Sequence, residues 1–478
     1  MFGTQVMVIL PEAILAVSAM AILLLDLVIK RKSVFAVLTC AAAAGAFCVL
    51  ALAGAQGSAW GGMFVSDGYA LFFKFIFLTG LVLPAISSTG YLSTERANHG
   101  EYYALMLFAT AGMMVMASAG DLITVYLGLE LMSLSLYVLA GFLRGSQRSN
   151  EAALKYFLLG SFASALLLFG ISLTYGLTGS TEIGAVASFI TAHGLSGSPA
   201  LAFATILYVA AFGFKIAAVP FHMWAPDVYE GSPTPVTAFM SVGPKAAGFA
   251  VIGRVLMLAM GQMSFEWTGL IIALSILSMV AGNILAIAQT NIKRMLAYSS
   301  IAHAGYVLLG IAAGGTEGLA SAMSYLFIYA FMNIGAFTVV TLLTSEGVKA
   351  EDLEDYSGLS KTHPLLAALM LIFMFSLTGI PPTAGFAGKF FLFSTVIKAG
   401  YLWLAVVAVL MSVVSAYFYL RVIMYMYMRE PAGAELRMDR SVGARLALGI
   451  TACAVLALGL MPAGLIDLAR SAALNFKV

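Results

Sequence analysis

Long apolar runs, separated by short polar segments, fill almost the whole sequence. A helix that crosses a bilayer needs about 20 mostly apolar residues, and the chain contains fourteen runs of about this length: 6–28, 34–53, 69–92, 102–118, 122–142, 152–177, 201–222, 236–260, 267–288, 295–313, 319–343, 365–396, 402–428 and 442–468. The runs are continuous rather than alternating, which excludes a membrane β-barrel. The pattern predicts an all-α polytopic membrane protein with about 14 transmembrane helices.

The composition agrees with a membrane protein. Of 478 residues, 62% are hydrophobic and only 10% are charged, whereas an ordinary soluble domain is about 25% charged. This excludes a soluble domain, a disordered chain and a nucleic-acid binder. The first run is too long for a signal peptide and is predicted to be the first span. The three cysteines form no CxxC pair, so we expect no metal or iron–sulfur site in this chain.

The basic residues are distributed unevenly between the two predicted sides. Of 24 Lys and Arg, 15 lie in loops that follow odd-numbered runs or within four residues of these loops, 3 lie in the other loops or at the termini, and 6 lie deeper inside runs. The positive-inside rule therefore places the odd loops in the cytoplasm and both termini on the opposite, outer side of the membrane. A miscount by one run would have scrambled this alternation.

Two of the predicted cytoplasmic loops carry acidic groups. The loop after the seventh run lacks Lys and Arg and contains Asp227 and Glu230. The segment 351–355 holds four acidic residues. It is either a solvated surface or a docking surface for a partner.

Four ionisable residues lie deep inside apolar runs: Glu130, Lys215, Lys245 and Lys389. Each costs about 2.5–3.5 kcal/mol on insertion scales. Glu130 has no basic residue within reach on its own helix, so we predict that it pairs with Lys215. Burial disfavours a charged lysine and a nearby carboxylate favours it, so movement of the carboxylate would switch the proton affinity of the lysine. The alternative is that these ion pairs only hold helices together.

Proline lies close to each of these lysines. Pro220 follows Lys215, Pro244 precedes Lys245, and 381–382 is a Pro-Pro pair ahead of Lys389. Proline frees a backbone carbonyl inside a helix, and interrupted membrane helices are tolerated where they line a wet cavity. We therefore predict broken helices at the seventh and twelfth runs.

The two predicted breaks are five runs apart, and an odd offset inverts the orientation. This favours an inverted repeat of two five-helix units, 101–262 and 263–430. A three-helix segment, 1–100, precedes them, and a C-terminal segment with the fourteenth run, 431–478, follows.

Two histidines, His222 and His303, are candidate relay groups because the ordinary pKa of histidine lies near neutrality; the alternative is that both are packing or capping groups. For five further charges near run ends we expect snorkelling or pairing with loops: Lys74, Arg254, Arg421, Glu12 and Asp26. Four tyrosines are predicted to form an interfacial belt: Tyr417, Tyr419, Tyr425 and Tyr427.

Three segments carry a resemblance to a known family. They are VPFHMWAPDVYEGSPTPVTAFMSVGPK (219–245), NIKRMLAYSSIAHAGY (291–306) and TGIPPTAGFAGKFFLF (378–393). They resemble the antiporter-like membrane subunits of respiratory NADH:quinone oxidoreductase, and the likeness covers essentially the whole chain. By this resemblance, Glu130 and Lys215 match the family's carboxylate–lysine pair, Lys245 its central lysine and Lys389 its terminal lysine.

The resemblance also implies the cellular context. The chain would translocate protons, while NADH oxidation and quinone reduction take place on other membrane and peripheral subunits that hold FMN, the iron–sulfur clusters and the quinone. This chain would hold no cofactor of its own and would contact lipid and protons. Protons would pass from the cytoplasm to Lys215, then through Lys245 and His303 to Lys389.

Two alternatives stay open at this stage. One is a subunit of a multisubunit sodium/proton antiporter, which has no redox partner. The other is a structural membrane spacer with vestigial charges. Co-purification with flavin and iron–sulfur proteins would exclude the first, and full activity after neutral substitution of all four deep charges would favour the second.

Overall fold

The computed structural model of the chain describes residues 2–52, 56–344, 350–431 and 441–476. Four of the basic residues counted above lie outside these described residues: Lys349, Arg437, Arg440 and Lys477. The described part contains nineteen α-helices and one two-stranded hairpin, so the predicted all-α class is confirmed apart from the hairpin.

The N-terminal part consists of three long helices and the hairpin. These elements are α1 (Phe2–Asp26), α2 (Val34–Leu52), β1 (Gly57–Ala59), β2 (Phe64–Ser66) and α3 (Gly68–Thr94). The strands are antiparallel, with Ser58 opposite Val65. Asp67 begins α3, because its carboxylate accepts a 2.8 Å hydrogen bond from the Ala70 amide, one of the amides that the first helical turn leaves free.

Seven helices follow up to residue 252. They are α4 (Gly100–Ala117), α5 (Leu122–Ala140), α6 (Gln147–Thr178), α7 (Ile183–Ala192), α8 (Pro199–Ile216), α9 (Trp224–Gly231) and α10 (Thr234–Ile252). Helix α8 ends one residue after Lys215, where Ala217 adopts a left-handed conformation with φ 57°. Residues 217–223 form turns. The seventh predicted run, 201–222, therefore covers most of α8 and the turns that follow its end.

The remaining helices complete the chain. They are α11 (Ser264–Ile287), α12 (Ile292–Ala313), α13 (Gly315–Leu342), α14 (Leu359–Thr362), α15 (Pro364–Thr378), α16 (Ala384–Lys398), α17 (Leu402–Met428), α18 (Val442–Leu460) and α19 (Ala463–Leu474).

Thirteen of the described helical segments are long and apolar enough to cross a membrane. The fourteenth predicted run, 442–468, contains one of these, α18, and the start of α19. The twelfth predicted run, 365–396, falls on α15 and α16, which have 15 residues each. A 15-residue helix is about 22 Å long and cannot cross a hydrocarbon core of about 30 Å by itself. The difference of one from the predicted count therefore comes from this divided run.

Pro244 does not interrupt its helix, contrary to the expectation that a breaker precedes Lys245. Helix α10 continues through Pro244 to Ile252. A proline leaves the carbonyl four residues earlier without its amide donor, and here that carbonyl belongs to Met240. The hydroxyl of Tyr229 donates to it at 3.5 Å, which partly replaces the missing bond.

The centre of the molecule is formed by α10, α12 and α13. In the apolar 18-residue stretch of each of these helices, 89%, 94% and 94% of the residues are buried. In the corresponding stretches of α1, α17 and α18, 33% of the residues are buried. A peripheral helix turns most of its surface to lipid, and a central one turns it to other helices. The central helices carry Lys245 and His303, so both lie far from lipid.

Helices α4 and α5 approach each other closely through two glycines. A Cβ at Gly112 would lie 2.6 Å from the Gly128 carbonyl oxygen, and a Cβ at Gly128 would lie 2.9 Å from the Gly112 carbonyl oxygen. Small residues allow such backbone contact between membrane helices. This contact fixes the position of α5, on which Glu130 lies.

Candidate functional site

Lys215 lies in the last turn of α8 and is 3% exposed. Its ammonium donates a 2.8 Å hydrogen bond to Oγ of Ser133 on α5. The Ser133 hydroxyl in turn donates to the Leu129 carbonyl at 2.5 Å. A buried cation is tolerated only when it is paired or hydrogen-bonded, and Ser133 supplies that partner here.

Glu130 lies one turn before Ser133 on the same helix. Its Oε1 is buried and has no hydrogen-bond partner, although Glu130 lies only one turn from the residue that Lys215 contacts. The predicted direct pair is therefore wrong for this conformation, because among the described residues Ser133, and not Glu130, receives the hydrogen bond from Lys215. The sequence placed the two charges near each other but could not show which oxygen the ammonium would take.

Lys245 lies in α10 and is 2% exposed. Its ammonium donates a 2.8 Å hydrogen bond to the Ser300 carbonyl on α12. One turn further along α10, a Cβ at Gly248 would lie 3.5 Å from Cβ of Lys215. Helices α8 and α10 therefore face each other at the level of their lysines.

His303 lies in α12, one turn after Ser300, and is fully enclosed by tyrosines. Its Nδ1 is hydrogen-bonded to the Tyr325 hydroxyl at 2.7 Å, and its Nε2 to the Tyr419 hydroxyl at 3.1 Å. Lys245 contacts the Ser300 carbonyl one turn before His303, and the Lys389 ammonium lies 5.0 Å from the ring centre of Tyr306 one turn after it. His303 therefore lies between the contacts of the two lysines along α12.

Lys389 lies in α16 and contacts the end of α15. Its ammonium donates to the carbonyls of Leu377 and Thr378 at 3.1 and 2.8 Å, and to Oγ of Ser412 at 2.8 Å. The last carbonyls of a helix have no partner within the helix and form the negative end of its dipole. Because α15 ends here and the residues four positions further on, 381 and 382, are prolines without an N–H, these carbonyls are free to bind the cation.

His222 is separate from this set. It lies in the turns between α8 and α9, is half-buried, and has a buried Nδ1 without a hydrogen-bond partner. None of the hydrogen bonds of the described residues joins its ring to Lys215, Lys245 or Lys389. The structure brings together the other candidates and leaves this one apart.

Several polar contacts of the site were missed in the sequence. The sequence does not mark Ser133 and Ser412 as partners of the buried lysines, because serine is common in membrane helices. Tyr419 was predicted in an interfacial belt, but it is 1% exposed and hydrogen-bonds to both His303 and Ser299. Tyr417 is exposed, and two residues along a helix turn a side chain to nearly the opposite face, so the belt prediction was wrong for Tyr419.

Two buried ion pairs lie away from Lys215, Lys245 and Lys389. Lys74 contacts Glu12 at 2.8 Å, and Arg254 contacts Asp67 at 2.7 Å. Arg254 pairs with the residue before α3, as expected for a run-end charge. Lys74 does not snorkel: its side chain is 0% exposed and pairs with a buried carboxylate of α1, because the strand residue Phe64 covers it, with its ring centre 5.1 Å from the ammonium.

The acidic loop after α8 is balanced by cations from other helices. Asp227 pairs with Lys155 and Arg294 at 2.7 and 2.6 Å, and Glu230 pairs with Arg294 at 2.9 Å. Burial raises the pKa of Asp227, but hydrogen bonds from Lys155 and Arg294 outweigh burial and hold that pKa below its ordinary value. The loop thus departs from the charge pattern because its acidic groups bind neighbouring helices.

Part of the acidic segment 351–355 forms an ion pair with another helix of the chain. Glu351 contacts Lys293 at 3.3 Å and its side chain is 14% exposed, so Glu351 is neither freely solvated nor open to a partner. Asp352 and Glu354 are exposed. For these two residues both interpretations stand, a solvated surface and a docking surface for a partner. Among the described residues, no group of three or more His, Cys, Asp or Glu is arranged to hold a metal ion.

The fold and site are those of a polytopic helical membrane protein with buried lysines. The similarity of its sequence to known proteins shows the class to which it belongs. The family described as "NADH:quinone oxidoreductase/Mrp antiporter, TM" matches residues 119–415. NADH-quinone oxidoreductase subunit N of Trichlorobacter lovleyi is 49% identical over 468 residues, which are 97% of this chain and 96% of that protein.

Solved structures agree with this match. A chain of respiratory complex I from Thermus thermophilus, solved with bound aureothin, is 37% identical with a TM-score of 0.82, covering 96% of this chain and 99% of that one. A chain of the Mrp complex from Dietzia sp. is 24% identical with a TM-score of 0.85, covering 99% and 98%; this likeness shows the fold alone.

The chain belongs to the NADH-quinone oxidoreductase subunit N family. The predicted resemblance to antiporter-like subunits of NADH:quinone oxidoreductase is confirmed, as is a multi-pass membrane protein.

Proposed function

We propose that this chain translocates protons across the bacterial inner membrane as a subunit of an NADH:quinone oxidoreductase, through Glu130, Lys215, Lys245 and Lys389. The observation that carries the proposal is His303, which bonds to two tyrosine hydroxyls and lies on α12 between the contacts that Lys245 and Lys389 make with that helix. A buried imidazole between two buried amines is suited to relay a proton. A purely structural ion-pair network would not need it there.

The energy scale supports the proposal. Moving one charge across about 100 mV costs about 2.3 kcal/mol. A lysine and a carboxylate about 4 Å apart interact by about 4 kcal/mol at an effective dielectric constant of about 20. Opening and closing a Glu130–Lys215 pair therefore changes the proton affinity of Lys215 by enough to drive one step against the membrane potential.

We propose the following order of transfer. A proton from the cytoplasm loads Lys215, passes to Lys245 and His303, and reaches Lys389. Movement of charge at Glu130 switches the affinity of Lys215. Buried polar atoms without protein partners, such as Ser324 Oγ and Asn333 Oδ1 on α13, are the kind of group that ordered water satisfies, and water would carry the proton between the amines.

The architecture belongs to the same proposal. Helices α8 and α15 both end close to a deep lysine contact, at Ile216 and Thr378. This supports two five-helix units, 101–262 and 263–430, as an inverted repeat between the segments 1–100 and 431–478. Both termini would then lie on the periplasmic side. His222, at the break after α8, is proposed as a secondary relay on the way to Lys215.

The redox chemistry is assigned to other chains. The relatives are named as subunits of NADH-quinone oxidoreductase, and we propose that partner membrane and peripheral subunits hold the FMN, the iron–sulfur clusters and the quinone. The sodium/proton antiporter alternative is less supported, because the solved Mrp chain shares only 24% identity, against 49% for the subunit N relative.

Affinity purification of the tagged chain from its native membrane tests this assignment. We expect flavin- and iron–sulfur-containing chains to co-purify with it in constant ratio, with NADH:quinone activity in the eluate. Purification with antiporter subunits alone, without flavin or iron, would contradict the proposal. Full proton pumping after neutral substitution of all four deep charges would instead favour a structural spacer.

A further inference from the structure

Ser133, and not the predicted Glu130, is the hydrogen-bond partner of Lys215 on α5. Ser133 is fully buried, and its Oγ is the acceptor for the Lys215 ammonium at 2.8 Å. Glu130 lies three residues earlier on α5 and has a buried, unpartnered Oε1. Residues three apart on a helix share a face, so the hydroxyl and the carboxylate are alternative partners for one ammonium.

Other groups around Lys215 hold its charge without fixing it. The Tyr137 ring centre, one further turn along the same face of α5, lies 5.9 Å from the ammonium, and the Phe214 ring centre lies 5.5 Å away. Aromatic faces attract a cation but impose little direction. A lysine side chain rotates about four bonds and offers three donors, so the oxygen that accepts its hydrogen bond decides where the ammonium rests.

We propose that Ser133 is a positioning residue that holds the Lys215 ammonium away from Glu130, so that the ion pair can open and close. This inference rests on the proposed function and adds a partner to it. In the open arrangement Ser133 accepts from Lys215, as the structure has it. In the closed arrangement Lys215 turns to Glu130, and the Ser133 hydroxyl keeps its own bond to the Leu129 carbonyl.

The same helix supplies a matched comparison. The Ser135 hydroxyl donates to the Leu131 carbonyl at 2.8 Å, as Ser133 does to Leu129, and Ser135 is 6% exposed. Among the described contacts, Ser135 receives no hydrogen bond from a lysine. A purely structural role in α5 would be shared by both serines, whereas the role proposed here belongs to Ser133 alone.

The test uses the assembled complex in proteoliposomes with the variants Ser133→Ala, Ser133→Cys, Ser133→Thr and Ser135→Ala. We expect Ser133→Ala and Ser133→Cys to slow pumping-coupled turnover roughly tenfold, the factor that a lost charge-assisted hydrogen bond implies, with an unchanged KM for quinone. Ser133→Thr keeps the hydroxyl, so we expect this variant to turn over at about the wild-type rate. The pH profile of turnover should move by about 0.5 pH unit or more in Ser133→Ala and stay fixed in Ser135→Ala.

The outcomes separate this inference from the proposed function. If Ser133→Ala and Ser133→Cys match Ser135→Ala in rate and pH profile while Lys215→Met stops pumping, the positioning role is wrong and the proposed function stands. If Lys215→Met also pumps like the wild type, the proposed function itself fails. A slow Ser133→Ala variant that Ser133→Thr rescues supports both.

Discussion

The Lys389 ammonium donates a 2.8 Å hydrogen bond to the carbonyl of Thr378, the last residue of α15. The break between α15 and α16 therefore does more than shorten a span, because it presents free carbonyls to a buried cation. In a helix that continued past Thr378, the donors to the Leu377 and Thr378 carbonyls would be residues 381 and 382, which are both proline and have no N–H. The Pro-Pro pair therefore leaves these two carbonyls free for the cation.

Lys389→Met is expected to remove proton loading at this end of the site. Methionine matches lysine in length but cannot carry a proton, so we expect the proton-to-electron ratio to fall while the complex still assembles. Proton uptake during NADH oxidation in proteoliposomes measures this ratio. Lys398→Met is the matched control, since Lys398 is on the same helix and exposed; equal ratios in the two variants would remove Lys389 from the path.

The Glu12–Lys74 pair predicts a large and repairable loss of stability. Glu12→Gln leaves the fully buried Lys74 ammonium without its counter-charge, which should cost about 3–5 kcal/mol. The double variant Glu12→Gln with Lys74→Met removes both charges and should recover most of the loss. Thermal unfolding of the purified complex measures both. A double variant that is no more stable than the single one would show that the pair does not act as a unit.

The Asp227 ion pairs predict a loss of stability in acid. The folded-state pKa of Asp227 lies below its ordinary value, so its contribution is complete above the ordinary value of about 3.9 and is lost as pH falls through the folded value. The wild type should exceed Asp227→Asn in thermal stability at neutral pH; the difference should begin to shrink as pH falls to about 4 and should vanish only below the lower, folded-state pKa. A difference that persists or grows in acid would contradict this assignment.

The contact between α4 and α5 predicts a steric effect on the site. Gly112→Ala places a methyl 2.6 Å from the Gly128 carbonyl oxygen, so the helices must separate, at a cost of about 1–3 kcal/mol. Gly176→Ala in α6, with no heavy atom within 4 Å of the new carbon, is the control and should be neutral or stabilising by about 0.5–1 kcal/mol. Equal thermal stabilities would mean that this contact does not hold α5 in place.

Much of the fold followed from hydropathy and charge, because lipid requires long apolar helices and makes every buried charge conspicuous. Lys245 and Lys389 could be selected from sequence for this reason. The Ser300 carbonyl that binds Lys245 could not, since it belongs to the backbone and has no residue signature. The Thr378 carbonyl that binds Lys389 is marked in the sequence only indirectly, by the proline four residues after it.

Depth was harder to predict than identity. Lys74 lies near the end of its run, but Phe64 of the preceding hairpin and the carboxylate of Glu12 enclose it, and Glu12 comes from α1, which is distant in sequence from α3. Tyr419 shows the same limit, because hydropathy gives the level of a residue in the membrane but not the face of the helix that it occupies.

The most direct test of the central claim is the number of protons moved per electron by the complete complex carrying Lys215→Met, measured in proteoliposomes beside Lys398→Met. The account predicts that Lys215→Met lowers this ratio or stops coupled turnover while assembly is retained, and that Lys398→Met matches the wild type. A Lys215→Met complex with the wild-type ratio and wild-type turnover would contradict it.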